Sequence, residues 1–315
     1  MSLVVTSAPD ARVISRSNER GILASGTTGA GLVNAMTVDV EDYFQVSAFD
    51  KAVSRASWDS RQSRVCSNTE RLLDLFAEAN IKATFFVLGW VAERFPGLVR
   101  RIVSEGHELA SHGFGHQLVY SQSHKEFRDD LRSARAALEA AGGCPIFGYR
   151  APSYSIVRES LWALDVLIEE GYVFDSSIYP VRHDRYGISD WTREVHRIDR
   201  PGGSIWELPG STIRVAGTNL PIGGGGYFRL LPYGWTRHGI RRLNAAKQSA
   251  IFYLHPWEID PDQPRISAGR LSTFRHYRNL AETEDRLRRL IAEFPFGRVT
   301  DVLANVAGGS KIASL

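Results

Sequence analysis

Cysteine is scarce. Cys66 and Cys144 are the only two in 315 residues. Two thiols make neither a disulfide framework nor a cysteine zinc site, and they read as buried free thiols that could at most pair once. Long apolar runs are missing as well. The longest, from Ala83 to Ala92, has ten residues, where a transmembrane helix needs about twenty. No integral membrane segment is therefore expected. The N-terminus, MSLVVTSAPDARVISRSNERG, has no long apolar centre behind a basic start. It makes a poor secretory signal, so the expected location is cytoplasmic. Nor is there an excess of one charge. Lys plus Arg is 38 against 35 Asp plus Glu, a formal net charge of +3, which is no footprint of a nucleic-acid binder. Apolar residues make up 43% and charged residues 23% of the chain. That balance excludes a disordered or collagen-like chain and suits a globular one with a sizeable core.

Residues 1–33 are rich in Ser, Gly, Ala, Thr and Arg without a period, and read as a flexible tail. One domain is expected over 34–300, followed by a C-terminal tail at 301–315. Buried strands are predicted at 33–38, 82–88, 106–111, 145–149, 172–174 and 249–254. Helices are predicted from Ser67, and at 95–104, 124–141, 158–170 and 280–293. Ser67 and Glu70 form a capping-box pattern. Strand and helix alternate before residue 180, which favours a parallel sheet with outer helices, open or closed into a barrel. From about 181 to 245 Trp, Arg, Gly and Pro dominate, with a glycine run at Gly223 to Gly226. This stretch reads as an irregular insertion containing β-strands such as 204–208.

Five polar clusters each close a predicted strand: Asp39-Val40-Glu41-Asp42, His112 with His116, Arg150-Ala151-Pro152, Asp175-Ser176-Ser177, and His255. In a parallel barrel all strand C-termini open on one face, so clusters far apart in sequence would converge there. Two histidines and a carboxylate suit a divalent transition metal such as zinc. Asp39 and Glu41 point to the same side of an extended strand, whereas Asp42 joins them only if the chain turns. One acid can bind metal while another serves as a general base. An acidic strand end also arises from helix capping, and a histidine pair is often structural. Arg150 could hold an ionised acid in place. Asp175 could orient His255, or simply cap the next turn.

In this order the five clusters resemble the polysaccharide deacetylase family, also called the NodB-homology or carbohydrate esterase family four domain. The strings Thr84-Phe85-Phe86-Val87-Leu88-Gly89 and Gly106-His107-Glu108-Leu109-Ala110-Ser111-His112 fit it too. Three further strings resemble the deacetylases encoded with exopolysaccharide and exosortase (PEP-CTERM) loci, which carry an extra C-terminal region. They are Thr37-Val38-Asp39-Val40-Glu41-Asp42-Tyr43-Phe44, Gly224-Gly225-Gly226-Tyr227-Phe228-Arg229 and Tyr253-Leu254-His255-Pro256-Trp257-Glu258.

The resemblance implies an α/β fold, a distorted (β/α) barrel of seven strands, here with the irregular insertion. It implies metal-dependent removal of N-acetyl groups from amino sugars of a polysaccharide or oligosaccharide. By position, Asp39 is the general base and His112 and His116 are metal ligands. Arg150 braces Asp39, and Asp175 supports His255, the general acid. The metal carboxylate is Glu41 or Asp42, with strand alternation favouring Glu41. The metal is zinc first, with cobalt, nickel or manganese as alternatives. Ser153, Tyr227 and Trp257 are expected at the substrate. Two competing readings are a hydrolase of small cyclic amides on the same scaffold, and a catalytically silent carbohydrate-binding protein of a polysaccharide assembly system.

Overall fold

A computed structural model describes residues 31–307 of the chain. All but the end of the tail expected at 1–33 lies outside the described residues. Those residues form eleven strands: β1 (Asn34–Val40), β2 (Thr84–Val87), β3 (Glu108–Ser111), β4 (Gly148–Tyr149), β5 (Phe174–Asp175), β6 (His196–Arg200), β7 (Gly203–Glu207), β8 (Thr212–Val215), β9 (Thr218–Pro221), β10 (Ile251–Leu254) and β11 (Phe296–Gly297). Nine share one sheet, ordered β10-β1-β2-β3-β4-β5-β7-β6, with β11 pairing the start of β1. From β10 to β7 that path holds seven strands, all parallel. Strand β6 folds back antiparallel on β7, and β8 with β9 makes a separate hairpin. Ten helices complete the described residues: α1 (Val65–Glu78), α2 (Gly89–Arg94), α3 (Pro96–Ser104), α4 (His124–Gly142), α5 (Ala163–Glu169), α6 (Gly225–Leu230), α7 (Tyr233–Ala245), α8 (Arg270–Tyr277), α9 (Leu280–Glu293) and α10 (Val299–Val306). No helix among the described residues is long and apolar enough to cross a membrane.

Strand alternation sorts side chains onto two buried faces. Met36, Val38 and Val40 of β1, with Phe85 and Val87 of β2, join Leu72, Ile102 and Leu131 of the helices in one large cluster. Ala35, Phe86, Ala110, Phe174 and Ile251 turn the other way and meet Val299, Val302 and Leu303 of α10. Burial on both faces is why these strands read as continuous apolar runs. Each of the larger side chains contributes about 1.5–3 kcal/mol when fully buried. The result is a distorted (β/α) barrel whose polar residues gather past the C-terminal ends of its strands.

No ladder joins β7 to β10. Single bonds span that gap instead: Ser211 Oγ accepts from the Ile251 N–H at 2.7 Å, and the Gly223 carbonyl accepts from the Tyr253 N–H at 2.7 Å. Gly224 sits at φ +120°, where a Cβ would run into the Tyr253 carbonyl oxygen. The glycine run thus marks a close crossing of two backbones.

Three expectations need correction. Residues 301–306 are no tail, because α10 buries Val302 and Leu303 in the barrel interior. The insertion is more regular than its composition suggests, since α6 and α7 lie within it. Helix α1 starts at Val65, ahead of the Ser67–Glu70 pattern, and takes its capping from the Asp42 carboxylate instead. Cys66 and Cys144 are free and half-buried.

Candidate active site

Strand β1 carries Asp39 to the mouth of the barrel, and the chain then turns, with the Glu41 N–H donating to the Asp39 carbonyl at 3.0 Å. Asp39 is gripped by Arg150, which follows β4 and is fully buried. Arg150 Nη1 donates to Asp39 Oδ1 at 2.7 Å and to Thr37 Oγ1 at 2.7 Å. Its Nη2 donates to Ser176 Oγ at 2.9 Å and its Nε to the Ser176 carbonyl at 3.1 Å. Phe86 lies flat beneath it, 4.2 Å from ring centroid to guanidinium carbon. One arginine therefore ties the ends of β1, β4 and β5 together.

His112 follows β3, and its Nδ1 lies 2.8 Å from the Arg150 carbonyl. A carbonyl only accepts, so Nδ1 carries the hydrogen and Nε2 keeps its lone pair for the cavity. Burial lowers this imidazole to about 4, against the pull of Asp39 and Glu41, so it is neutral at neutral pH. His116 comes from a loop bent at Gly113, φ +75°, where a Cβ would stand 2.8 Å from Asp130 Oδ2. The loop is clamped from both sides. Asp130 of α4 accepts from the Phe114 N–H at 3.0 Å, and Arg55 donates to the Gly115 carbonyl at 2.7 Å and the His116 carbonyl at 2.9 Å.

Glu41, His112 and His116 bring one ligand atom each within 4.8 Å of one another, all three buried. His116 Nε2 lies 2.7 Å from Glu41 Oε2. His116 Nδ1 is buried without a hydrogen-bond partner. Burial alone would raise the Glu41 carboxyl, but the imidazoles of His116, His255 and His112 bring it down to about 2. A buried carboxylate facing two imidazole nitrogens is the donor set that suits a divalent transition metal, so the residues fit such an ion. Asp42 does not join them. Its Oδ2 accepts from Ser63 Oγ at 2.6 Å and from the Arg64 N–H at 2.9 Å, fixed at the start of α1.

His255 follows β10. Its Nε2 stands 3.9 Å from Asp39 Oδ2 and 3.6 Å from Glu41 Oε1. Its Nδ1 lies 2.7 Å from Glu258 Oε1, and Glu258 Oε2 accepts from Arg229 Nε at 2.6 Å. Burial lowers the His255 imidazole, but Glu41, Glu258 and Asp39 overcome it and push it up to about 9. Burial likewise raises Glu258, and Arg229 then His255 bring it down to about 2.

A polysaccharide deacetylase profile matches residues 49–167, and a profile for a domain of unknown function, DUF3473, matches residues 176–304. Over the first of these ranges the chain is similar to the polysaccharide deacetylase family. The two profiles in tandem are typical of deacetylases encoded at exopolysaccharide loci. The site is assembled across both. His112, His116 and Arg150 fall within the deacetylase range and His255 within DUF3473, while Asp39 and Glu41 precede both.

The chain is 36% identical over 99 residues to a peptidoglycan-N-acetylglucosamine deacetylase of Bacillus cereus, covering 31% of this chain and 36% of that protein. It is 33% identical over 141 residues to a chitooligosaccharide deacetylase of Bradyrhizobium, covering 44% and 62%. The matches thus span about a third to three-fifths of these relatives. A solved Mycobacterium smegmatis structure described as a polysaccharide deacetylase aligns with TM-score 0.62 at 20% identity, over 93% of this chain and 94% of that one. Puue allantoinase aligns with TM-score 0.58 at 15% identity, over 94% and 100%. Both likenesses show the barrel fold.

Asp39, Glu41, His116 and His255 share the wall of one cavity of about 180 Å³ with Ser153 and Tyr154. Ser153 sits at φ +54°, and its Oγ is 2.7 Å from Ser47 Oγ. Two other expected substrate residues lie elsewhere. Trp257 is buried behind the site, stacked on His255 at 5.1 Å, with its Nε1 donating to Glu41 Oε1 at 3.2 Å. The Tyr227 hydroxyl bonds that of Tyr186 at 2.9 Å, and it is Tyr186 that lines the cavity.

Asp175 does not support His255. It is fully buried beside Glu207, with which it registers across β5 and β7, and it accepts from Ser177 Oγ. Burial raises both carboxyls; Asp175 raises Glu207 further, while a hydrogen bond from Glu207 works against the rise at Asp175. The carboxylate that holds His255 is Glu258. Its signal was present in the string His255-Pro256-Trp257-Glu258. A proline at the first position of a turn, followed by an acid that reaches back to the residue before it, is a helix-start pattern. The Glu258 Oε1 also accepts from the His255 N–H at 3.1 Å, as that pattern requires. Arg229, Asp130 and Arg55 carry no comparable local signal.

Proposed function

We propose that this chain is a metal-dependent hydrolase that removes N-acetyl groups from amino sugars of a polysaccharide or oligosaccharide. One observation carries the reading: a Glu41–His112–His116 donor set stands beside an arginine-braced Asp39 and a carboxylate-held His255, and all of these but His112 line one cavity. The names of the similar proteins point the same way.

Glu41, His112 and His116 would hold the ion, zinc before cobalt, nickel or manganese. A divalent cation there supplies Lewis acidity to the acetyl carbonyl and acidifies water. Asp39 takes a proton from the attacking water. Arg150 occupies Oδ1, which leaves Oδ2, the oxygen nearer His255, for that proton. His255 gives a proton from Nε2 to the departing nitrogen, while Glu258 on Nδ1 keeps the ring aimed. Water and amide become acetate and free amine. Ser153 and Tyr154 line the cavity where the sugar would enter.

The test is acetate release from N-acetylglucosamine oligomers, with chelation and zinc add-back. Asp39→Asn and His255→Ala should each lower kcat by about 10²–10⁴-fold. Zinc should also raise the melting temperature, by about 2.7 kcal/mol of stability at a hundredfold excess over Kd, and His116→Ala should remove that shift. Acetate release at the wild-type rate from both Asp39→Asn and His255→Ala would overturn the assignment.

A further inference from the structure

The cavity mouth carries a charge that hydrolysis of a neutral acetamide does not use. Both acids in the wall are already committed. Asp39 belongs to Arg150, and Glu41 belongs to His116 and Trp257. The rest of the wall is mostly serine and aromatic side chains, with two cations among them: Arg185 from the loop after β5, and Arg275 from α8. Neither pairs with a carboxylate among the described residues, unlike Arg128 or Arg200 but like other exposed arginines such as Arg100 and Arg214. Arg185 reaches only the Ser47 carbonyl, at 3.4 Å. The acids nearby leave them free, since Asp184 pairs with His183 at 3.1 Å, and Asp50 feels Arg185 only through space.

The backbone at each arginine is anchored. The Arg275 carbonyl accepts from the buried Arg229 at 2.9 Å. Beside Arg185, the His183 ring stacks on Tyr186 at 3.9 Å, and Tyr186 is bonded to Tyr227. Both arginines line the same cavity as His183. Two unpaired guanidiniums held at one mouth repel each other unless an anion joins them, and a planar fork matches a carboxylate with two bonds. Across the cavity Tyr120 lines the wall with 41% of its surface exposed, an aromatic face for a sugar ring.

We propose that Arg185 and Arg275 receive a sugar carboxylate, so that the substrate is an acidic N-acetylated glycan with a uronate beside the N-acetylated residue. The inference rests on the deacetylase reading above and narrows its substrate class.

The probes are two tetrasaccharides: one alternating glucuronate and N-acetylglucosamine, the other of N-acetylglucosamine alone. Acetate release is measured with the zinc-loaded protein, and binding with its Asp39→Asn variant. The uronate tetrasaccharide should be preferred in both assays. Each guanidinium removed should cost it about tenfold, so Arg185→Gln with Arg275→Gln should abolish the preference. Raising the salt should weaken the preference as well. Equal handling of both probes by the wild type, or a preference that survives the double substitution, overturns the proposal. Acetate from both probes without preference would sink the acidic-substrate inference and keep the deacetylase. Arginine-dependent uronate binding without acetate release from either probe would do the reverse.

Discussion

Removing Arg150 gives the sharpest stability test, because every polar group around its guanidinium is buried. Arg150→Met keeps much of the volume over Phe86 but deletes four hydrogen bonds, to Asp39, Thr37 and twice to Ser176. Asp39, only 2% exposed, then holds a charge with no cation against it. Breaking a buried pair from one side costs about 3–5 kcal/mol. At roughly 2 °C per kcal/mol for a chain of this size, the melting temperature should fall by about 6–10 °C. The double variant Arg150→Met with Asp39→Asn should recover part of that loss, since no charge is stranded. Thermal unfolding of the four proteins in the cycle measures the coupling directly. An Arg150→Met protein that melts within about 1 °C of wild type would refute the claim that this pair is desolvated.

Two other outcomes separate the carboxylates that the sequence left in competition. Glu258→Gln should lower kcat by about 10²-fold with little change in KM, because it loosens the ring that delivers a proton; a larger loss from Asp175→Asn than from Glu258→Gln would restore the pairing expected from sequence. Asp175 and Glu207 instead govern stability. Burial raises both in the folded state, so folding binds protons there, and their stabilisation, full below the ordinary carboxyl range of about 4, drains as pH rises above it. Glu207→Gln should therefore flatten the fall of melting temperature as pH rises above the ordinary carboxyl range. An unchanged slope would show that the pair does not share a proton.

Local pattern carried the barrel a long way. Strands β1, β2, β3 and β10 were legible because burial on both faces demands unbroken apolar runs. Their polar ends marked the site because parallel strands all finish on one side. Strand alternation favoured Asp39 with Glu41, and both do reach the cavity, although β1 ends at Val40 and it is the turn beyond it that brings Glu41 round. Strands β4 and β5 have only two residues each, too few for any period to show. Helices α6 and α7 were hidden by glycine and arginine, whose tolerance there comes from tertiary packing.

The sequence by itself determined the class of fold, the order of the polar clusters and the donor types that face the cavity. These follow from periodicity and residue chemistry, which act over a few neighbours. Only the tertiary structure decided which partner each group takes. Asp42 was claimed by the start of α1, Asp175 by Glu207 across two strands, and His255 by a glutamate that Arg229 holds from 29 residues away. Such choices depend on which buried charge finds a counter-charge first in three dimensions, and no local pattern records that distance.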